Sequence, residues 1–294
     1  MNYLKEIKDI FIHLYYWLNS NTLIVQRSSK AIGDNLLLTI FTSYLKNKYP
    51  THKIIVETQF PEFFFHNPDV AFSTKHRWSK NKRTVRIKYH YDQSTNKSIY
   101  QQIVQDDLPG EFLVPRIYLK EEKIQKAREL FPYPYICISP ESKTDFAANR
   151  RDWGFDKFQE LVNLMPQYRF VQVGNSQTPL LHYVDDGRYI DLILSAAIIK
   201  NSLLYIGNEG GLMHLAKSVG KLSAIILSGY IKPEIIAYSD NLNIYEKDIP
   251  CSPYGHSDAP HNNCLNRICL DRISPLRVKE AIESFIDKYY AKAQ

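Results

Sequence analysis

A strand–helix alternation that breaks at Pro132-Tyr-Pro134 and then starts again constrains this 294-residue chain more than any other feature. Before the prolines, Thr22-Leu-Ile-Val-Gln26 reads as a buried strand, 35–48 as a helix ended by Pro50, and Lys53-Ile-Ile-Val-Glu57 as the next strand. Weaker strands fall near 71–74 and 84–89, a polar loop with some helix spans 93–105, and 121–131 reads as a helix. After the prolines come strands at 135–139, 169–173, 203–206 and 223–227, helices at 155–164, 192–201 and 212–219, and a closing helix at 275–290. Short apolar strands alternating with helices predict parallel sheets covered on both faces. The expected class is therefore α/β, with two Rossmann-like domains facing a cleft. The boundary falls at the prolines, giving domains 1–131 and 132–294, the last helix being able to cross back.

Composition narrows the partners. Hydrophobic residues make up 44%, enough for a real core. The net charge of +6 suits an anionic partner: a nucleotide diphosphate, a phosphorylated glycan, a membrane surface or nucleic acid. Nucleic acid is set aside because neither zinc-finger spacing nor an RNA-recognition aromatic motif is found. Lys5, Glu6, Lys8 and Asp9 interrupt the stretch where a signal core would lie, and no apolar run reaches the ~18–20 residues of a spanning helix. The expectation is a soluble, cytoplasmic protein. Leu4, Ile7, Ile10, Phe11, Leu14, Tyr15 and Leu18 repeat at helical spacing. That helix packs on the first domain, or docks on a membrane surface or partner.

Two strand-to-helix turns carry chemistry. The first, Arg27 to Asp34, follows the opening strand; in open α/β sheets ligands bind outside the carboxyl ends of strands. Gly33 permits a tight turn, and Asp34 falls where an N-cap of helix 35–48 would. A carboxylate there can also accept a proton from an attacking hydroxyl, with Arg27 and Lys30 holding phosphate or tuning it. The second turn is Tyr205-Ile-Gly-Asn-Glu-Gly-Gly-Leu-Met-His214. Gly210 and Gly211 bare the backbone at a helix start, where free N–H groups and the dipole attract anions, and His214 can donate to a phosphate. A capped helix with a satisfied histidine is the plainer explanation of the same residues. No full phosphate-loop motif is present.

A third loop brings Lys143, Arg150 and Arg151 to the end of strand 135–139, with Trp153, Arg150 and Tyr230 as candidates for lining a base pocket. Cys251, Cys264 and Cys269 lie close in sequence with His256 and His261 between them. Cys251, His261, Cys264 and Cys269 could hold structural zinc or iron, although the spacing matches no standard knuckle. Free thiols in a folded loop, or else a disulfide, are the other readings of them. Cys137, mid-strand, reads as core.

Taken in order, these segments resemble glycosyltransferase family 9, the ADP-heptose:lipopolysaccharide heptosyltransferases and their relatives. The resemblance runs through Ser28-Ser-Lys-Ala-Ile-Gly-Asp-Asn-Leu-Leu37, Leu45-Lys-Asn-Lys-Tyr-Pro50 and Asn67-Pro-Asp-Val70. It resumes at Ile138-Ser-Pro140, Arg151-Asp-Trp153, Gly207 to Ala216 and Cys269-Leu-Asp-Arg-Ile-Ser-Pro275, with 75–130 matching only loosely. It implies the two-domain glycosyltransferase B fold, with acceptor on the first domain and nucleotide sugar, an ADP-sugar favoured, on the second. It implies inverting transfer with no cofactor for catalysis, Asp34 being the base. The implied acceptor is an anionic or lipid-linked glycan, which brings peripheral association with the inner face of the membrane. Arg151 stands where the family has lysine, and Glu209 where it has aspartate, so the donor sugar is less constrained than the reaction class. The same scaffold could serve a protein acceptor, or bind a nucleotide sugar without catalysis.

Overall fold

The computed structural model describes residues 10–12, 14–16, 18, 21–27, 29–75, 84–86, 94–95, 97–104, 114–141, 148–188, 191–252 and 264–290. The chain divides into two compact units. One comprises 1–90 and 100–120, the other 91–99 and 121–294.

In unit 1 a parallel sheet has the order β3-β2-β1-β4, with β1 (Thr22–Gln26), β2 (Lys53–Glu57), β3 (Phe72–Thr74) and β4 (Thr84–Arg86). Ile24, Val25, Ile54, Ile55 and Val56 are all buried, as a parallel sheet covered on both faces requires. Helix α1 (Ile32–Lys48) follows β1 and buries ten of its residues, Leu36, Leu37, Leu38, Ile40 and Phe41 among them. It ends against Pro50 with Lys46 donating to the carbonyls of Pro50 and His52, which places a cation at the negative helix end. Residues 10–12, 14–16 and 18 are helical. Phe11, Tyr15 and Leu18 are 66%, 65% and 68% exposed, so the expected burial of this stripe against the first domain is not found for them.

In unit 2 a six-stranded parallel sheet has the order β10-β9-β8-β5-β6-β7. Its strands are β5 (Ile136–Ser139), β6 (Phe170–Val173), β7 (Asp185–Gly187), β8 (Tyr205–Asn208), β9 (Ser223–Ile226) and β10 (Leu242–Ile244). The sequence pattern misses β7 and β10. Both are three-residue edge strands, and Asp185-Asp-Gly187 carries no apolar signal at all. The covering helices are α2 (Glu121–Leu130), α3 (Phe155–Leu164), α4 (Leu192–Asn201), α5 (Gly211–Ser218) and α6 (Pro275–Tyr290).

Helix α2 lies in unit 2, with 91–99 and the rest of the chain after residue 120. The physical reason is its packing on α4. Ile124 and Ala127 are buried, Asn201 donates to the Ile124 carbonyl at 3.0 Å, and Lys123 pairs with the α4 cap Asp191 at 2.9 Å. Trp153, Phe158, Leu161, Ile206, Val278 and Ile282 belong to one core under the sheet, so α6 packs within unit 2.

Candidate functional site

Each sheet is wound outward in both directions from the strand that opens it. In unit 1, β1 lies between β2 and β4; in unit 2, β5 lies between β6 and β8. At such a reversal the loops leaving neighbouring strands diverge, and the crevice between them is where ligands bind in open α/β sheets. The loops from β1, β5 and β8 carry the residues that the sequence singles out.

In unit 1 the loop from β1 enters α1 three residues earlier than the sequence pattern places the helix. The cap is Ala31, which offers no side-chain bond, and Asp34 is the third helical residue. Asp34 is therefore not the N-cap. Its Oδ2 lies 2.6 Å from Arg27 Nη2, with the two side chains 23% and 14% exposed. A carboxylate in the first turn of a helix is also favoured by the dipole. The loop is fixed from behind by Asn35, which is fully buried. Its Nδ2 donates to the carbonyls of Ser29 and Ala31, and its Oδ1 accepts from the Thr58 hydroxyl. Arg27 N–H donates to the Glu57 carbonyl at 3.0 Å, and the buried Glu57 carboxylate accepts from Gln26 at the end of β1. Lys30 is exposed.

In unit 2, Arg151 and Glu209 meet. Arg151 Nη2 donates to Glu209 Oε1 at 3.0 Å and Nε lies 2.7 Å from Oε2, with side chains only 10% and 6% exposed. Burial pushes the Glu209 carboxyl up from its ordinary range while the Arg151 charge pulls it back, and burial wins. The guanidinium lies over the Tyr230 ring, 5.2 Å from its centre. Asn208 fastens the β8 loop to the β5 loop. Its Oδ1 accepts from Trp153 N–H at 3.2 Å, and its Nδ2 donates to the carbonyls of Pro140 and Glu141. Sequence reasoning passed over both Asn35 and Asn208; each directly follows or precedes a candidate carboxylate, which is the only signal available without a structure.

Helix α5 begins at Gly211 with Gly210 as its cap and no side-chain cap bond. Gly210 is extended, with φ 163°, and a Cβ there would meet nothing within 4 Å. Neither strain nor crowding within the chain accounts for this glycine, whereas at Gly207 a Cβ would collide with the Tyr205 ring. An uncapped helix start with a bare approach is an anion site in form. His214 is buried, its N–H bonded to Gly210 and its Nδ1 2.8 Å from the Tyr238 hydroxyl.

Other candidates move. Trp153 does not line a pocket: it is fully buried, packs edge-on against Phe158 and donates from Nε1 to the Ile273 carbonyl at 2.9 Å. Lys143 and His261 lie outside the described residues. Cys251, Cys264 and Cys269 are free thiols, as is the buried Cys137. Burial raises the Cys269 thiol, a backbone hydrogen bond at Gly229 opposes this, and the nearby Cys251 and Cys264 raise it further. Among the described residues no group of three or more His, Cys, Asp or Glu side chains is arranged to hold a metal. No helix among the described residues is long and apolar enough to cross a membrane.

No family model and no curated protein sequence matches the chain. Solved structures do match in fold. The ADP-heptose lipopolysaccharide heptosyltransferase II of E. coli gives a TM-score of 0.67 at 14% identity, over 91% of this chain and 99% of that one. The iron-containing dodecameric glycosyltransferase TibC of enterotoxigenic E. coli also gives 0.67 at 14%, over 90% of this chain and 76% of that one. TibC has been solved in complex with ADP-D-β-D-heptose as well. A family 9 glycosyl transferase of Veillonella parvula gives 0.64 at 16%, over 92% and 98%. The α/β fold with two parallel sheets is thus that of the heptosyltransferases, the glycosyltransferase B type that the sequence motifs imply.

Proposed function

We propose that this chain is an inverting glycosyltransferase that needs no divalent metal. It would move a sugar, heptose from ADP-heptose being favoured, to a hydroxyl of a lipopolysaccharide or other surface glycan. Unit 1 takes the acceptor and unit 2 the nucleotide sugar. One observation carries the reading: the loop leaving β1 holds an oriented carboxylate, the loop leaving β8 an uncapped helix start whose Glu209 pairs with a buried arginine from the loop leaving β5, and the fold is one that heptosyltransferases use.

The chemistry follows from these groups. The acceptor hydroxyl attacks the anomeric carbon on the face opposite the leaving diphosphate, and Asp34 takes its proton as the new bond forms. Arg27 holds the Asp34 carboxylate in one orientation, so the base is in place before the hydroxyl arrives. Charge develops on the diphosphate as the glycosidic bond to it breaks. The first-turn N–H groups of α5 and the Arg151 guanidinium answer that charge, with Glu209 and Tyr230 fixing the guanidinium plane. Lys143 and His214 join the proposal as further diphosphate contacts on sequence grounds, and Lys30 as a flexible cation near the acceptor. The ADP-sugar is supported by TibC, which binds ADP-D-β-D-heptose on the same fold. The anionic acceptor, and peripheral association with a membrane surface on the cytoplasmic side, are supported by the net charge of +6.

A thermal-shift screen against ADP-, GDP-, UDP- and dTDP-sugars identifies the donor class. Asp34→Ala then separates binding from transfer: ADP affinity by calorimetry should be unchanged while transfer is abolished. Transfer at the wild-type rate would reject Asp34 as the base.

A further inference from the structure

At the far end of α1 from Asp34, unit 1 lines an open cavity of about 610 Å³. Lys46 follows Asp34 by twelve residues, which at a rise of 1.5 Å per residue is roughly 18 Å along the helix. The cavity therefore belongs to neither the loop from β1 nor the groups assigned to transfer. Ser43, Lys46 and Asn47 enter it from one face of α1, since they stand at i, i+3 and i+4. Residues 115–118 supply another wall as extended chain with alternating burial: Pro115 and Ile117 point into the core, Arg116 and Tyr118 outward.

The chemistry of these walls is specific. Lys46 is anchored by two carbonyls, and Asp69 is oriented by the Ser43 hydroxyl at 2.6 Å. Arg116 bonds Thr39 only through its backbone N–H, and its guanidinium makes no hydrogen bond or ion pair among the described residues. Two cations against one carboxylate leave a surplus positive charge. Asp69 and Asn47 offer the acceptor and donor that neighbouring hydroxyls need, and Tyr118 offers a ring to the apolar face of a sugar. The volume falls within the roughly 300–1,000 Å³ typical of small-ligand sites.

We propose that this cavity is a second saccharide site that takes a sugar bearing one phosphate or carboxylate, with Arg116 as its anion contact. The site does not rest on the transferase reading, because its occupancy is read by binding alone. The test is calorimetric titration of the full chain with glucose 6-phosphate and glucuronate, with glucose and inorganic phosphate as controls. At least one anionic sugar should saturate the protein, with glucose and phosphate each weaker by about tenfold or more. The two anionic sugars distinguish a phosphate ligand from a carboxylate one. A charge-assisted hydrogen bond contributes roughly 1.5–3 kcal/mol, so Arg116→Gln should weaken binding by about 10- to 100-fold. Asp34→Asn should leave it within about twofold, the additivity expected of distant sites. Far-UV circular dichroism and the thermal midpoint check that Arg116→Gln is folded; if it is not, Tyr118→Ser serves the same purpose. No saturation by either anionic sugar at ~10 mM, weaker than the millimolar range of useful sites, would overturn the proposal. So would an Arg116→Gln protein that binds as tightly as wild type, or loss of binding in Asp34→Asn.

Discussion

Removing Glu209 while leaving Arg151 in place strands a guanidinium that is only 10% exposed. Breaking a buried ion pair from one side costs about 3–5 kcal/mol, because the remaining charge stays out of water with its carboxylate gone. Glu209→Ala should therefore consume much of a stability that for most domains totals roughly 5–15 kcal/mol. Glu209→Gln keeps an amide oxygen opposite Nη2 and loses only the charge and the second contact, so about 1.5–3 kcal/mol is expected. Replacing both partners by apolar residues of similar size, Arg151→Met with Glu209→Leu, removes two desolvated charges together and should cost little. The coupling energy of the Arg151→Met and Glu209→Leu cycle should accordingly reach about 3 kcal/mol, at the upper end for residues in contact. The assay is equilibrium urea unfolding followed by Trp153 fluorescence, with Trp17 and Trp78 changed to Phe. Trp153 sits in the unit 2 core, so the signal reports that unit and not the whole chain. A cost below about 1 kcal/mol for Glu209→Ala, typical of a surface pair, would refute the reasoning; so would a double variant that costs the sum of the singles.

Arg151→Met in the same set should also weaken ADP binding, and unchanged affinity would remove its diphosphate role. Asp191 caps α4, accepting from the N–H groups of Ile193 and Leu194, so Asp191→Ala should cost about 1 kcal/mol in urea unfolding. Burial works to raise that carboxyl, but the Lys123 hydrogen bond and the helix N–H groups outweigh it and hold it below the usual range. A depressed pKa contributes stability that is present above the unfolded value and lost as pH falls through the folded one. The wild-type advantage over Asp191→Ala should therefore shrink in acid below about pH 4, where an ordinary aspartate titrates; an advantage that grows there would refute the account. Trp153→Ala should cost roughly 3–5 kcal/mol, the penalty for emptying a fully buried indole. With iodoacetamide at neutral pH, the exposed Cys251 should react first, Cys269 later, and Cys137 last, since burial pushes the Cys137 thiol up to about 12. Early labelling of Cys137, read by mass spectrometry, would contradict its burial.

The sequence conveyed the fold well wherever apolar residues ran together. Helices Phe155–Leu164, Leu192–Asn201 and Pro275–Tyr290 fall where the pattern placed them, because their spacing and breakers coincide. Asp185-Asp-Gly187 was illegible as a strand because only its pairing with Val171 to Val173 makes it one. The candidate site was legible as residue types and loops, not as contacts. Asp34 has the chemistry of a cap, and only the structure shows that the helix starts earlier and that Arg27 is its partner. Glu209 likewise reads as a ligand contact, while its partner in the structure is Arg151. Pairings between residues 58 positions apart leave no trace in local pattern.

The reversal of winding that opens each crevice also bears on how the chain reaches its native state. Ile24 pairs with Ile55 on one side and with Thr84 on the other, and Cys137 with Val171 and then with Tyr205. In both units the second partner lies about twice as far along the chain as the first. Loop-closure entropy rises with that separation, and long-range parallel pairings are slow. The edges β1–β2 and β5–β6 should therefore assemble before β4 and β8 arrive. The crevice beside each central strand is thus bounded by the pairing that closes the longest stretch of chain in its sheet, β1 with β4 in unit 1 and β5 with β8 in unit 2.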